Sequence, residues 1–229
     1  MTAMTNDDFE KLRPGMAAQL LRRREAIDSG MTPRGWKVGL NVAGVQAHFG
    51  IGGPCVGWLD GRRVLASGAA VDFLPEASMR IEPEVCLRVG TGGRLAAVAP
   101  ALEIVDFTTP PKDLFALLSS SILHLATIVG AFVPVEEAAG LAELGKRWPR
   151  LEVTGEAPPS LGEGLVPADL QASVDFVAAM LPRFGERLEA GDLILAGSYA
   201  AAVPPLARGA RARAEFGPLG SVEVERAGG

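Results

Sequence analysis

Arg80-Ile81-Glu82-Pro83-Glu84-Val85-Cys86-Leu87-Arg88-Val89 sets two carboxylates two residues apart in an otherwise largely apolar run. As a β-strand it carries Pro83, Val85, Leu87 and Val89 on one face. Glu82 and Glu84 then point together to the other face, roughly 7 Å apart. Like charges on one strand face repel, and strands disfavour Glu, so the pattern asks for compensation. A hard divalent cation, which takes oxygen ligands, supplies it. A second apolar run, Ala101-Leu102-Glu103-Ile104-Val105, carries a third acid. Three carboxylates on two strands would complete a protein's share of such a site. A solvated sheet face produces the same spacing, and the pattern alone leaves both readings open. Cys86 alternates in phase with the two acids and is read as a small buried hydrophobe facing the site or just beneath it.

The second chemical oddity is Lys37, embedded in Gly35-Trp36-Lys37-Val38-Gly39-Leu40. Burying an ammonium is costly unless it meets an anion. Lys37 either snorkels to solvent or is aimed at an anionic substrate or a proton transfer. His48 and His124 are the two histidines. His48, beside a Gly-rich turn, is assigned to the surface.

These residues belong to a chain of 229, enough for one large domain or two small ones. With 48% hydrophobic and 21% charged residues, the composition is that of a soluble globular protein. The net charge of -5, with no basic run longer than Arg22-Arg23-Arg24, argues against a nucleic-acid partner. No apolar run is long enough for a membrane span and no signal-peptide core is evident, so a cytoplasmic location is expected. Cys55 and Cys86 are too few for a disulfide framework.

The elements that must position the site follow from periodicity and punctuation. Residues from about Asp7 to Ser29 read as helix interrupted near Pro14-Gly15. Val45 to Phe49 reads as a helical turn or two, and Val56 to Leu59 and Ala69 to Phe73 as short strands. The acid-bearing strands follow, joined by a turn at Gly90-Thr91-Gly92-Gly93. A helix is predicted from Lys112 to about Ala126, with His124 near its end. Further helices are predicted over Ala138 to Trp148 and Ala168 to Leu181, with a loop between Glu156 and Pro167. Leu151 to Thr154 and Leu193 to Ala196 read as strands. Ala210 to Phe216 and Ser221 to Glu225 read as a closing hairpin. The class is α+β with an antiparallel or mixed sheet.

Four blocks in order resemble the 2-keto-4-pentenoate hydratases of the fumarylacetoacetate hydrolase superfamily. They are Gly35 to Leu40, Arg80 to Val85, Ala101 to Val105, and Gly191-Asp192-Leu193-Ile194-Leu195-Ala196-Gly197; Gly217-Pro218-Leu219-Gly220-Ser221-Val222 is a family-like ending. The resemblance implies one domain over 1–229, a mixed, curved β-roll with helices outside and residues 1–34 as an N-terminal helical segment. It implies Mg2+ or Mn2+ on Glu82, Glu84 and Glu103, and Lys37 as the site lysine. It implies a small 2-oxo acid substrate and a homo-oligomer. The implied reaction is that of a lyase: hydration of a 2-hydroxy-2,4-dienoate through a stabilised enolate to a 4-hydroxy-2-oxo acid. A 2-oxo acid decarboxylase of the same superfamily and a non-catalytic binding paralogue are the alternatives. The chain departs from the pattern in three places, one of them Ala196-Gly197 followed by Ser198 where the family strand ends in Thr-Gly. Where the hydratases carry an acid after the Gly-rich segment, it reads Leu59-Asp60-Gly61-Arg62-Arg63, so Asp60 is a candidate from a shifted position. Where they carry an Asp-Asn pair, it has His124-Leu125, so His124 is a candidate general acid or base.

Overall fold

Ordinary chain order brings the acids together through two long neighbouring strands. The computed structural model describes residues 4–74, 76–138, 149–159, 169–200 and 203–228. Its elements begin with α1 (Asn6–Asp28), β1 (Gly35–Gly39), α2 (Ala43–Phe49), β2 (Cys55–Trp58), β3 (Val64–Ala66) and β4 (Ala69–Val71). The acids lie on β5 (Met79–Val89) and β6 (Leu95–Asp106). Then come α3 (Leu114–Ser119), β7 (His124–Val129), β8 (Val133–Pro134) and β9 (Arg150–Val153). The chain closes with α4 (Gln171–Met180), β10 (Leu193–Leu195), β11 (Arg211–Glu215) and β12 (Ser221–Arg226). Among the described residues no helix is long and apolar enough to cross a membrane.

The larger sheet runs β2-β1-β10-β5-β6-β7-β3, with β8 paired to β6. It is mixed: β1 with β10 and β3 with β7 are parallel, the other pairs antiparallel. It is also curled. Its inner face carries a cluster of small and medium residues, among them Cys86, Ala99, Ala101, Val129 and Leu195. Side chains of that size let strands bend toward one another, and irregularities at Arg88/Val89 and Ile104/Val105 add local twist. The outer face carries the main core, including Val85, Leu87, Val98, Leu102, Ile104 and Ile128. The second sheet, β4-β12-β11-β9, packs on it through β11 and β12. An α+β fold with a mixed, curved roll is therefore what the chain forms.

Three expectations need correction. Helix α1 is continuous, with Pro14 inside it. A capping box between Thr5 and Asp8 fixes its start, and Leu12, Met16 and Leu20 are buried along its face. That burial outweighs the one backbone hydrogen bond that Pro14 removes. The helix predicted to run to about Ala126 stops at Ser119, and His124 opens β7 instead. Between them Ser121, Ile122 and Leu123 all take left-handed backbone angles, which periodicity cannot report. Strand β3, pairing only at the sheet edge, was not expected. The helix predicted over Ala138 to Trp148 lies almost wholly outside the described residues, as does most of the loop to Pro167. Short strand β8 was not expected either; the other described elements match to within a few residues, α4 among them.

Helix α1 approaches α3 closely because position 15 has no side chain: a Cβ on Gly15 would lie 2.6 Å from Leu118 Cβ. Gly15→Val is accordingly expected to destabilise the fold by about 1–3 kcal/mol through overpacking. Thermal melting checks this, and an unchanged melting temperature would show that the two helices can separate without cost.

Candidate metal centre

Register aligns the acids. Glu82 on β5 is the direct cross-strand partner of Glu103 on β6, and Glu103 in turn of Thr127 on β7. Glu84 follows two positions along the same face. One oxygen from each of Glu82, Glu84 and Glu103 lies within 4.8 Å of the other two. An ion with metal–oxygen distances of about 2.1–2.5 Å spans oxygens up to about 5 Å apart, so the three can share one divalent cation. Glu84 and Glu103 are buried, and Glu82 is half-buried toward the cavity. Glu103 Oε2 is a buried acceptor with no hydrogen-bond partner among the described residues. A buried carboxylate oxygen left bare is costly, and a bound cation would satisfy it. On donor chemistry, spacing and burial the residues fit a hard divalent ion.

Lys37 meets this cluster from β1. Its Nζ donates to Glu103 Oε1 at 2.5 Å and to the Ile122 carbonyl at 3.3 Å. Gly57 sits opposite Lys37 on β2. A Cβ there would crowd Ser121 Oγ at 2.7 Å and Lys37 Cγ at 3.1 Å, so the position needs glycine. The left-handed turn is tied to β2 by Ser121 Oγ, which accepts from Trp58 N at 2.8 Å and donates to Trp58 O at 3.0 Å. Glu84 Oε2 accepts from the Gly197 N–H at 3.0 Å. Gly197 has φ +110, and a Cβ there would strike Asn41 Nδ2 at 1.8 Å. Ordinary side chains are excluded there on both counts.

Charge decides which protons are held. Burial disfavours the Lys37 ammonium, but the charges of Glu103, Glu82 and Glu84 outweigh it and raise its pKa. Burial opposes the Glu103 carboxylate too, yet Lys37, with help from His124, pulls it down to about 2. Glu82 is pushed up to about 7 by burial and by the negative charge of Glu103, against Lys37 and a Ser198 hydrogen bond. Glu84 rises well above its ordinary value, chiefly by burial and Glu103. Four ionisable groups thus share one dry site with an ionised Lys37–Glu103 pair at its centre.

The cluster opens into a cavity of about 380 Å³. Lys37, Glu82, Glu84, Asn41 and Ser198 supply its polar side chains. Most of its wall is apolar, with Leu40, Val45, Phe49, Phe107, Leu117 and Ile122 among the lining residues. At the small end of ligand-pocket sizes, it suits a metabolite-sized molecule. The six candidate residues do not all meet there. His124 does not line this cavity; it reaches Glu103 from behind, Nδ1 lying 2.7 Å from Oε1. Asp60 stands apart from the cavity. It accepts from the Arg62 backbone at 3.0 Å and from its guanidinium at 2.9 and 2.8 Å. Partial burial opposes its charge, and Arg62 holds its carboxyl below the usual range. It caps a turn. Thr127 and Asn41 were not singled out in the sequence. Thr127 was legible in principle as a polar residue inside an apolar strand, whereas Asn41 reaches the site only through tertiary packing.

Comparison with known proteins agrees with this architecture. No family model matches the chain. A 4-oxalocrotonate decarboxylase of a Pseudomonas species is 29% identical over 242 residues, covering 98% of this chain and 91% of the relative. The structure of 4-oxalocrotonate decarboxylase from Pseudomonas putida G7, complexed with magnesium and adipate, matches with a TM-score of 0.79 at 25% identity. That match covers 93% of this chain and 84% of the other. Fumarylpyruvate hydrolase from Pseudomonas aeruginosa, with Mn2+ and pyruvate, matches with a TM-score of 0.63 at 19% identity, over 86% of this chain and 90% of the other, and shows the fold alone. A curled mixed roll is the architecture these proteins share with this chain. In sequence and fold the chain is similar to proteins of the fumarylacetoacetate hydrolase superfamily.

Without a divalent ion, stability should fall as pH rises from about 5 to about 8. Between the ordinary value of 4.5 and about 7, folded Glu82 keeps a proton that the unfolded chain has lost. Glu103 acts oppositely, but its contribution is complete above 4.5 and is lost only toward about 2. Thermal melts of ion-free protein should therefore show a higher melting temperature near pH 5, and Glu82→Gln should flatten the slope. A melting temperature that climbs across this window would contradict the assignment.

Proposed function

We propose that the protein is a divalent-metal-dependent lyase acting on a 2-oxo acid, and that its reaction is decarboxylation rather than hydration. The observation that carries this is a three-carboxylate cluster beside one lysine, of which Glu82, Glu84 and Lys37 line a cavity with otherwise mostly apolar walls. Glu82, Glu84 and Glu103 would hold Mg2+ or Mn2+. A divalent ion there supplies Lewis-acid polarisation of a 2-oxo group and its neighbouring carboxylate.

The chain's own residues account for the rest. Lys37 keeps its proton at Nζ and places a positive charge beside Glu103, where charge would develop on the substrate's 2-oxygen. In a substrate such as the 3-ene form of 4-oxalocrotonate, the second carboxylate sits on the saturated carbon beyond the double bond that is conjugated to the 2-oxo group. Breaking its C–CO2 bond sends the electron pair toward the 2-oxygen and releases neutral CO2, and a proton then returns to the carbon chain. Apolar walls solvate a carboxylate poorly and CO2 well, which favours that step. Hydration would instead need a group to place and deprotonate water at the carbon chain. The lining residues beyond the cluster, Lys37, Asn41 and Ser198 do not offer one among the described residues. Full-length likeness to a decarboxylase supports the same choice.

The test supplies purified protein with Mg2+ and either 4-oxalocrotonate or 2-hydroxypenta-2,4-dienoate, following ultraviolet absorbance and CO2. The expected result is ion-dependent CO2 release from the first. Glu84→Gln should abolish ion binding, and Lys37→Ala should lower kcat by about 10²–10⁴. Turnover of the dienoate without CO2 would restore the hydratase reading, and an absence of divalent-ion binding by calorimetry would overturn the proposal.

A further inference from the structure

Thr127 is fully buried, and its hydroxyl oxygen has no hydrogen-bond partner among the described residues. An unpaired buried hydroxyl costs free energy that a valine of nearly the same shape would avoid. Its neighbours along β7, Ala126, Ile128 and Val129, are all apolar. Register shows what the hydroxyl stands beside. Thr127 pairs with Glu103 on β6 and with Val64 on β3, and Val129 follows two positions along the same face. Val129 belongs to the apolar inner cluster and Val64 packs against it. Of these three flanking side chains, Glu103 alone can hydrogen-bond.

Glu103 has the matching need. Lys37 and His124 both meet Oε1, and Oε2 has no partner among the described residues. A donor and an acceptor without partners thus stand on directly paired residues, whose Cβ atoms in such a pair lie about 4.5–5.5 Å apart. An ion on Oε2 uses one of that oxygen's two lone pairs, and the other remains for a donor. Thr127 lines neither the acidic cavity nor a smaller second one bounded by Arg22, Arg63 and His124, so it is not placed to touch a substrate.

We propose that Thr127 is a positioning residue of the metal centre: its hydroxyl donates to Glu103 Oε2 when a divalent ion is held, and fixes that carboxylate as a ligand. The inference rests on the reading of Glu82, Glu84 and Glu103 as ion ligands, and is independent of which reaction follows.

The test is calorimetric titration of the full chain with Mn2+, comparing the parent with Thr127→Val and Thr127→Ser, alongside thermal melts of the ion-free proteins. Valine keeps the shape and removes the hydroxyl, whereas serine keeps the hydroxyl and removes a methyl group. Thr127→Val should bind Mn2+ about 10–100-fold more weakly, the usual effect of losing a partner of a ligating group. Its ion-free melting temperature should equal or exceed the parent's, since no hydrogen bond is lost. Thr127→Ser should melt lower, yet bind Mn2+ within about threefold of the parent. A merely structural threonine would give the reverse order, with affinity following stability. Weakening of less than about tenfold in Thr127→Val, or equal weakening in both variants, overturns the proposal and leaves the metal centre standing. No Mn2+ binding by the parent overturns the ligand reading, and this inference with it. Should Thr127→Val not fold, Thr127→Ala set against Thr127→Ser isolates the hydroxyl in the same way.

Discussion

The buried contact between Lys37 and Glu103 is the interaction on which the rest of the site depends. Taking both charges out of water costs several kcal/mol each, and a close, hydrogen-bonded geometry must offset it. The geometry here is a 2.5 Å contact, with the Ile122 carbonyl as a second acceptor for Lys37 and His124 as a second donor to Glu103. Removing either partner would strand a charge in an apolar interior. Burial first, and then the negative charge of Glu103 against the opposing charge of Lys37, raises the hold of Glu82 and Glu84 on protons, and a divalent ion would offset it.

That contact requires the curl of the sheet. Strands β1 and β6 are separated by β10 and β5, which in a flat sheet is three strand spacings, or about 14 Å. No lysine side chain covers that distance and ends 2.5 Å from a carboxylate. Small side chains at Cys86, Ala99 and Ala101 let the inner face close. The left-handed segment Ser121–Leu123 delivers a carbonyl to the same lysine. Local strain of this kind persists only where surrounding contacts hold it, here the Ser121 hydroxyl gripping the Trp58 backbone. Curvature, turn and glycine at position 57 are parts of one arrangement.

The same arrangement separates the two faces of Glu103. One cavity is mostly apolar and holds the other acids; the other is cationic and meets Glu103 only through an imidazole. A single carboxylate thus belongs to two chemical environments.

What the sequence determined by itself was the alternation that puts Glu82 and Glu84 on one face, the third acid on the next strand, the odd lysine, and the α+β class. Period-two patterning and rare residue types carry that information locally. It also carried the resemblance to the superfamily, because four short blocks in order constrain far more than one. It did not carry the end of α3, since left-handed residues at Ser121, Ile122 and Leu123 leave no periodic trace. Nor did it separate His124 and Asp60 from the cavity: chain position says nothing about which side of a curled sheet a residue approaches. Only the tertiary structure joined Lys37 to Glu103, because the two lie 66 positions apart and meet by curvature, a property of the whole sheet and of no one strand.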